Sequence, residues 1–212
     1  MPKFVPLSAM LILALVVTAL AADDPNAVVF NQKLKIGDAA PAWKDLAGTD
    51  GKSHALDDLK DVPVVVAVFT CNSCPTARDY EDRTLALVKR YESQPGKVRV
   101  VAINCNKVAE DSLDAMTARA KERAFTYAYV TDPTQGIAKE FGAITTPQYF
   151  VLNAERKIVY IGALDDDSDP SKAKTNYVAA AIDATLAGKA VEKTNEPPRG
   201  CLIRFTRERG KK

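Results

Sequence analysis

The chain has 212 residues, of which 47% are hydrophobic and 26% charged, and its formal net charge is +2. This composition is typical of a soluble globular protein, and the length allows one large domain or two small ones. So small a net charge gives no indication of a nucleic-acid partner or a strongly acidic substrate.

Residues 1–21 have the layout of a signal peptide. A single positive charge, Lys3, precedes an apolar run from Val5 to Leu20, and Ala19-Leu20-Ala21 forms a small-x-small cleavage pattern. An uncleaved membrane anchor is the alternative, although the run is short for a membrane-spanning helix. We therefore expect an exported protein, periplasmic or extracellular, with residues 22–34 as a flexible lead-in to the folded domain.

The following segments alternate between strand and helix patterns. Thr49-Asp50-Gly51 is a good hairpin turn, and Val62 to Phe69 is apolar without alternation, which predicts a strand buried on both faces. A helical pattern follows Cys74, and the strand predicted after it at 97–105 should therefore run parallel to the first. The remaining predicted elements are a helix at 109–124, a strand at 126–130, a helix at 132–142, a hairpin at 149–162 and a last helix at 177–186.

The Cys71-Asn72-Ser73-Cys74 segment lies between the first buried strand and its helix. Pro75 suits the first helical turn, where its missing N–H is not needed. Unpaired backbone N–H groups and the helix dipole favour an anion there. That anion would be a thiolate, the form of cysteine that attacks disulfides and peroxides. The i, i+3 spacing brings the second sulfur within reach of the first, as thiol–disulfide exchange requires.

Two other interpretations of the Cys71–Cys74 pair remain open, a permanent structural disulfide and half of a zinc site. Zinc would need two more ligands, and Cys105, Cys201 and the single histidine, His54, include no second close pair. We therefore predict no bound metal. A second bridge between Cys105 and Cys201, which would tie the C-terminal segment to the domain, is a further hypothesis.

Three segments together resemble the thioredoxin-like superfamily, and in particular its redoxin branch in bacteria. They are Cys71-x-x-Cys74-Pro75, Thr146-Pro147 and Gly200-Cys201. The resemblance implies an α/β, thioredoxin-like fold of the redoxin type, with a central mixed β-sheet flanked by helices. It implies a domain at residues 35–192, followed by a C-terminal tail at residues 193–212.

The resemblance also implies roles for the site residues. Cys71 is expected to be the exposed nucleophile at the helix N-terminus, and Cys74 the more buried resolving cysteine. Thr146-Pro147 matches the cis-proline of thioredoxin-like proteins, which leaves the backbone of Thr146 free to pair with an extended substrate. We expect Thr146 and Pro147, together with Asn72 and Ser73, to form the substrate-binding surface.

The sequence also departs from the related families. Thr70 replaces the tryptophan that precedes the first cysteine in thioredoxins, and Val65 stands where thioredoxins bury an acid. The threonine that orients peroxide in peroxiredoxins is missing, because Cys71 stands three residues before Cys74 and Val68 three residues before Cys71. Neither the reduction potential of thioredoxin nor the mechanism of peroxiredoxins can therefore be transferred directly.

The sequence thus favours an exported thiol–disulfide oxidoreductase that uses the Cys71–Cys74 pair and no cofactor. The first alternative is a peroxiredoxin-like thiol peroxidase, an antioxidant enzyme that uses Cys74 or Cys71. The second is a non-catalytic binding domain with a structural Cys71–Cys74 disulfide. The expected partners are protein disulfides or dithiols, or peroxide, and not nucleic acid. A reductive cycle outside the cytosol would also need a membrane electron donor.

Overall fold

The protein was analysed as a computed structural model, which describes residues 31–206. The predicted signal peptide lies outside the described residues. Within 31–206, no helix is long and apolar enough to cross a lipid bilayer.

Ten strands and five α-helices make up the described part of the chain. The strands are β1 (Leu46–Ala47), β2 (Ser53–His54), β3 (Val64–Phe69), β4 (Val98–Asn104), β5 (Ala128–Thr131), β6 (Thr145–Thr146), β7 (Gln148–Leu152), β8 (Ile158–Gly162), β9 (Asn195–Glu196) and β10 (Cys201–Leu202). The helices are α1 (Pro75–Asp79), α2 (Glu81–Arg90), α3 (Leu113–Glu122), α4 (Gly136–Phe141) and α5 (Tyr177–Leu186). Two 3₁₀ helices cover Leu56–Leu59 and Ala109–Asp111.

Six strands form one mixed sheet in the order β5-β4-β3-β7-β8-β9. Strand β3 is parallel to β4, as the strand–helix–strand pattern predicts, and antiparallel to β7. Strands β7 and β8 form the predicted antiparallel hairpin. The α/β fold class and the mixed central sheet are therefore confirmed.

Strand β3 lies at the centre of the sheet and is buried on both faces. Val64, Val66 and Val68 face one apolar core, which includes α5 residues, and the alternate positions from Val65 to Phe69 face a second core. Every residue of β3 is at most 2% exposed. This strand thus gives the Cys71–Cys74 segment a rigid support on one side.

Two predicted helices are interrupted in the structure. The helix after Cys74 divides at Tyr80, which ends α1 and precedes α2. The helix predicted at 109–124 is a 3₁₀ turn and a separate α3, because Ser112 is extended and its hydroxyl accepts the Ala115 N–H at 3.3 Å. Serine at this position is a favourable N-cap, which periodicity alone does not reveal.

The segments on either side of the predicted domain also pack against it. Asn31, in the segment predicted as a flexible lead-in, is buried and donates from Nδ2 to the Phe141 carbonyl at 2.6 Å. After residue 192, the chain adds β9 parallel to β8. A Cβ on Gly162 would lie 2.0 Å from the Glu196 carbonyl oxygen, so this pairing needs glycine.

Candidate active site

The two cysteines lie where the sequence predicts, between the end of β3 and the start of α1. Cys74 is the N-cap residue of α1, and Pro75 occupies the first turn. The Cys74 Sγ accepts a hydrogen bond from the Ala77 backbone N–H at 3.3 Å. Of the two cysteines, Cys74 is therefore the one whose sulfur caps the helix.

Thr146 contacts both sulfurs from the opposite side. Its Oγ1 lies 3.3 Å from the Cys71 Sγ, and its carbonyl oxygen lies 3.2 Å from the Cys74 Sγ. The Thr146–Pro147 peptide bond is cis, which confirms the prediction. The loop before β7 thus forms one wall of the site, although it is about 70 residues away in the sequence.

Both sulfurs belong to buried residues. Cys71 is 3% exposed and Cys74 is 2% exposed, so the expectation of an exposed Cys71 is wrong. The reason is the packing around the pair, to which the tail residue Cys201 contributes together with Ala77. The strand–helix junction alone does not predict that these side chains cover the two sulfurs.

Hydrogen bonding places the negative charge on Cys74. Hydrogen bonding with the Cys71 thiol, followed by Cys201, the Ala77 N–H and Thr146, lowers the pKa of Cys74 to about 4 despite burial. The same hydrogen bond, followed by burial, raises the pKa of Cys71. The Thr146 carbonyl oxygen accepts from Cys74 only when that thiol is protonated, and the four groups that lower the pKa of Cys74 outweigh this single acceptor.

Asp111 holds the two residues between the cysteines. Its Oδ1 accepts the backbone N–H groups of Asn72 at 2.6 Å and Ser73 at 3.2 Å, and its Oδ2 accepts the Ser73 hydroxyl at 2.5 Å. The Ser73 Oγ also lies 3.7 Å from the Cys71 Sγ. Asn72 and Ser73, predicted to bind substrate, are therefore primarily anchored to the protein, and the edge of the site is fixed by a buried carboxylate.

Polar side chains of β4 and β5 support this arrangement through hydrogen bonds. Asn104 Nδ2 donates to Asp111 Oδ1 at 3.0 Å and to the Tyr129 hydroxyl at 3.1 Å. The Tyr129 hydroxyl in turn donates to Asn72 Oδ1 at 3.0 Å. Burial, followed by the negative charge of Asp111, raises the pKa of Tyr129 well above its usual value, so this hydroxyl keeps its proton.

The remaining cysteine, Cys105, belongs to a different apolar cluster from the other three. It is buried in the core on one face of the sheet, and its carbonyl accepts a hydrogen bond from Gln135 Nε2 at 2.8 Å. Burial, reinforced by the charge of Asp132, raises its pKa to about 12. All four cysteines are free thiols, and Cys201 packs against Cys71 and Cys74, so the hypothesis of a Cys105–Cys201 bridge is not met here.

Metal binding has no support in the described residues. Within 31–206, no group of three or more His, Cys, Asp or Glu side chains has the arrangement to hold a metal ion.

Comparison with known proteins gives the family. The sequence profile of the Redoxin family matches residues 35–178. The chain belongs to the Redoxin family. Its fold is thioredoxin-like, and membership makes it a redox protein. No curated protein sequence matches the chain.

Solved structures share this fold. A hypothetical protein from Sinorhizobium meliloti 1021 is 32% identical over 83% of this chain and 97% of its own, with a TM-score of 0.75. An uncharacterized conserved protein from Geobacillus kaustophilus is 31% identical over 84% of this chain and 96% of its own, with a TM-score of 0.77. A putative protein disulfide isomerase from Bacteroides thetaiotaomicron, 21% identical over 73% and 91%, has a TM-score of 0.58 and supports the fold alone.

Two residues of this redoxin's site were not predicted from sequence. Asp111 is buried at the centre of the hydrogen-bond network, but in the sequence it is one acid in a charged stretch with no distinguishing pattern. For Cys201, in the Gly200-Cys201 segment, the sequence suggests only a bridge to Cys105 and no place beside Cys71 and Cys74. Neither the helical nor the strand periodicity carries a signal for contacts between residues so far apart.

Proposed function

We propose that this redoxin is a thiol–disulfide oxidoreductase in which Cys71 and Cys74 alternate between a dithiol and a disulfide. The supporting observation is that the Cys74 sulfur caps α1 and accepts the Ala77 N–H at 3.3 Å, beside the Cys71 thiol, which lowers the pKa of Cys74. Donors aimed at one sulfur stabilise its thiolate, which is the form that attacks a disulfide. A permanent structural disulfide would need no such donors.

The same contacts favour a definite division of roles, the reverse of that expected from the sequence. The Cys74 thiolate attacks a substrate disulfide, forms a mixed disulfide and releases one substrate thiol. Cys71 then attacks the Cys74 sulfur, which closes the Cys71–Cys74 disulfide and releases the second thiol. The Thr146 hydroxyl, 3.3 Å from the Cys71 Sγ, is placed to donate to Cys71 as it loses its proton.

Substrate contact is proposed for the residues that border the two sulfurs. Thr146 and Pro147, which are buried with β10 already paired to the Thr146 backbone, form one side, and the half-buried residues Asn72 and Ser73 form the other. The substrate class that fits this chemistry is a disulfide or a dithiol, carried by a protein or a small molecule. Because Asp111 already occupies the backbone N–H groups of Asn72 and Ser73, these residues would shape the site more than bind directly.

The test is a redox titration of the full chain in graded glutathione buffers. The state of Cys71 and Cys74 is read by alkylation and mass, with Cys105→Ser as a matched control because Cys105 belongs to a different apolar cluster. We expect a reversible two-electron midpoint for the Cys71–Cys74 disulfide in wild type and in Cys105→Ser, and no disulfide between residues 71 and 74 in Cys71→Ser or Cys74→Ser. A pair that stays oxidised under excess dithiol, or never oxidises, would exclude the proposal.

A thiol peroxidase is the second candidate, and the burial of both sulfurs favours it. At 3% and 2% exposure, Cys71 and Cys74 are more accessible to a small oxidant than to a protein. The Cys74 thiolate would attack the peroxide and become a sulfenic acid, and Cys71 would condense with it and release water. Mixing reduced protein with one equivalent of hydrogen peroxide tests this. Formation of the Cys71–Cys74 disulfide within seconds would support a peroxidase, whereas formation that takes hours would count against it.

We further propose that the protein is exported, on the signal-peptide layout of residues 1–21. N-terminal sequencing of the protein recovered from outside the cytosol should then begin after Ala21. A cycle that reduces substrates in that compartment would draw electrons from a membrane donor. An intact N-terminus on a cytosolic product would contradict export.

A further inference from the structure

Three cysteine side chains meet at the proposed redox site. Cys201, in the tail strand β10, packs against the cluster formed by Cys71, Cys74 and Ala77. Cys71 and Cys74 are buried, whereas Cys201 is only partly buried. Within the described residues, Cys201 is therefore the sulfur of this cluster that external molecules can reach most easily.

The position of Cys201 is determined by strand pairing. Strand β10 is antiparallel to β6, with Cys201 opposite Thr146 and Leu202 opposite Thr145. The Ile203 N–H continues the pairing by donating to the Ile144 carbonyl at 2.9 Å. The tail thus lies along the Thr146 backbone, where the sequence-based expectation placed an extended substrate.

A glycine makes this close approach feasible. Gly200 has φ +154°, and a Cβ built on it would lie 1.9 Å from the Thr146 carbonyl oxygen. Any side chain at residue 200 would therefore push β10 away from β6. Glycine at residue 200 therefore allows the tail to bring Cys201 next to Cys71 and Cys74.

The tail is also anchored on both sides of Cys201. Before it, Arg199 donates to the carbonyls of Asp165 at 2.8 Å and Asp166 at 2.9 Å. After it, the buried Gln135 donates to the Arg204 carbonyl at 3.0 Å and accepts the Thr206 N–H at 2.8 Å. These contacts hold the thiol of Cys201 beside the Cys74 sulfur.

We propose that Cys201 is a third redox-active cysteine, which exchanges with the Cys71–Cys74 disulfide and so forms a Cys74–Cys201 disulfide that external thiols can reach. This inference rests on the proposed function, since it needs that disulfide to form. The Cys201 thiolate attacks the Cys74 Sγ, the Cys71–Cys74 bond breaks as the Cys74–Cys201 bond forms, and Cys71 leaves as a thiolate that takes up the released proton. No electrons are gained or lost in this exchange.

The exchange explains how a buried pair reacts with a partner. In the Cys74–Cys201 isomer, an external thiol attacks the more accessible Cys201 sulfur and forms a mixed disulfide with it. The liberated Cys74 returns to its thiolate, and a second thiol of the partner attacks the mixed disulfide and frees Cys201. The partner class that fits is therefore a dithiol on an exposed peptide or small molecule, oxidised to a disulfide by this redoxin.

The electrostatics of Cys201 are consistent with a role confined to the oxidised protein. In the dithiol form, its hydrogen bond to Cys74, followed by burial, raises the pKa of Cys201. Oxidation of Cys74 removes the first of these causes. Cys201 thus becomes a better nucleophile only when a disulfide is present for it to attack.

The test maps disulfides in the full chain after equilibration with graded glutathione and alkylation of the remaining thiols. Trypsin releases Cys71 and Cys74 together in residues 61–78 and Cys201 in residues 200–204, so a Cys201 bond to this pair appears as a cross-linked peptide. In Cys71→Ser, the glutathione mixed disulfide on Cys74 should be resolved by Cys201. Alkylation of Cys201 should then fall about tenfold between reducing and oxidising buffers.

Wild type and Cys105→Ser provide the reference and the control. We expect both to contain mainly the closed peptide 61–78, together with a fraction of the 61–78/200–204 cross-link. Wild type also serves as the direct measurement if Cys71→Ser fails to fold. The proposal is overturned if the cross-link is missing from wild type, or if Cys71→Ser keeps glutathione on Cys74 while Cys201 is alkylated.

Cys201→Ser separates this inference from the proposed function. If the Cys71–Cys74 disulfide titrates reversibly in both Cys201→Ser and wild type, and wild type forms no cross-link, the oxidoreductase proposal stands. The redox role of Cys201 is then refuted. If neither titrates the pair, the proposed function itself fails. Oxidation of a model dithiol peptide that is slower in Cys201→Ser than the measured Cys71–Cys74 midpoint of that variant accounts for would support the relay role.

Discussion

Asp111 and Ser73 are joined by two hydrogen bonds, the Ser73 hydroxyl to Oδ2 at 2.5 Å and the Ser73 backbone N–H to Oδ1 at 3.2 Å. Asp111 is 3% exposed, so a buried carboxylate is held by the segment between the two redox cysteines. Its charge also contributes to the raised pKa of Cys71, after the larger effects of the hydrogen bond to Cys74 and of burial.

Asp111→Asn should therefore destabilise the protein by about 2 kcal/mol, the range for hydrogen bonds to a charged group. It should also lower the pKa of Cys71, because a nearby negative charge is removed. Urea unfolding gives the first quantity, and the pH dependence of Cys71 alkylation in a Cys74→Ser background gives the second. Glu110→Gln, on the same 3₁₀ helix but exposed, is the control. Equal effects of both variants would show that the buried network has no special role.

Thr146→Val removes the hydroxyl that lies 3.3 Å from the Cys71 Sγ. We expect Cys71 to resolve a glutathione mixed disulfide on Cys74 about fivefold more slowly, which corresponds to a hydrogen bond of about 1 kcal/mol. Stopped-flow release of glutathione measures the rate. Thr145→Val is the matched control, because the Thr145 Oγ1 is buried with no hydrogen-bond partner within residues 31–206. That variant should keep the rate and gain stability, and a slower rate in it would argue against a specific role for Thr146.

Gly200→Ala should displace β10 from β6, because its Cβ would meet the Thr146 carbonyl oxygen at 1.9 Å. Alkylation of Cys71 and Cys74 by iodoacetamide should then become at least several-fold faster, since the tail no longer covers them. Gly188→Ala provides the control: Gly188 also has a positive φ, +66°, but no atom lies within 4 Å of its added Cβ. Unchanged protection of the two thiols in Gly200→Ala would mean that the tail does not cover the site.

The pKa of Cys74, lowered to about 4, predicts how the stability of the reduced protein depends on pH. The folded state holds the Cys74 thiolate, whereas the unfolded state binds a proton below the usual cysteine pKa of about 8.5. This stabilisation is therefore complete above about pH 8.5 and decreases as the pH falls toward 4. The slope is at most about 1.4 kcal/mol per pH unit for one proton.

Urea unfolding between pH 8 and pH 6 measures this contribution. The free energy of unfolding of reduced wild type should fall relative to that of Cys74→Ser, which lacks the titrating thiol. Ultraviolet absorbance of the thiolate provides an independent titration. A constant difference between the two proteins across this range would place the charge elsewhere.

Local sequence patterns predicted most elements of the fold. The unbroken apolar run before Cys71 is confirmed as β3, because a strand covered on both faces needs no polar positions. The last helix is confirmed with its predicted bounds, Tyr177–Leu186. The errors include Ser112 and Tyr80, where helices are interrupted by capping and a local turn that apolar periodicity does not record, and the helix predicted from residue 132, which begins at Gly136.

The sequence by itself determined the strand–Cys71-x-x-Cys74–helix junction and the proline at residue 147, since both depend on neighbouring residues and on recognisable motifs. Only the tertiary structure decided which sulfur caps the helix, that both cysteines are buried, and that Asp111 and Cys201 complete the site. The physical reason is distance along the chain: Cys201 reaches Cys74 only because β10 pairs with β6. Such contacts are selected by the packing of the whole domain, and local periodicity carries no information about them.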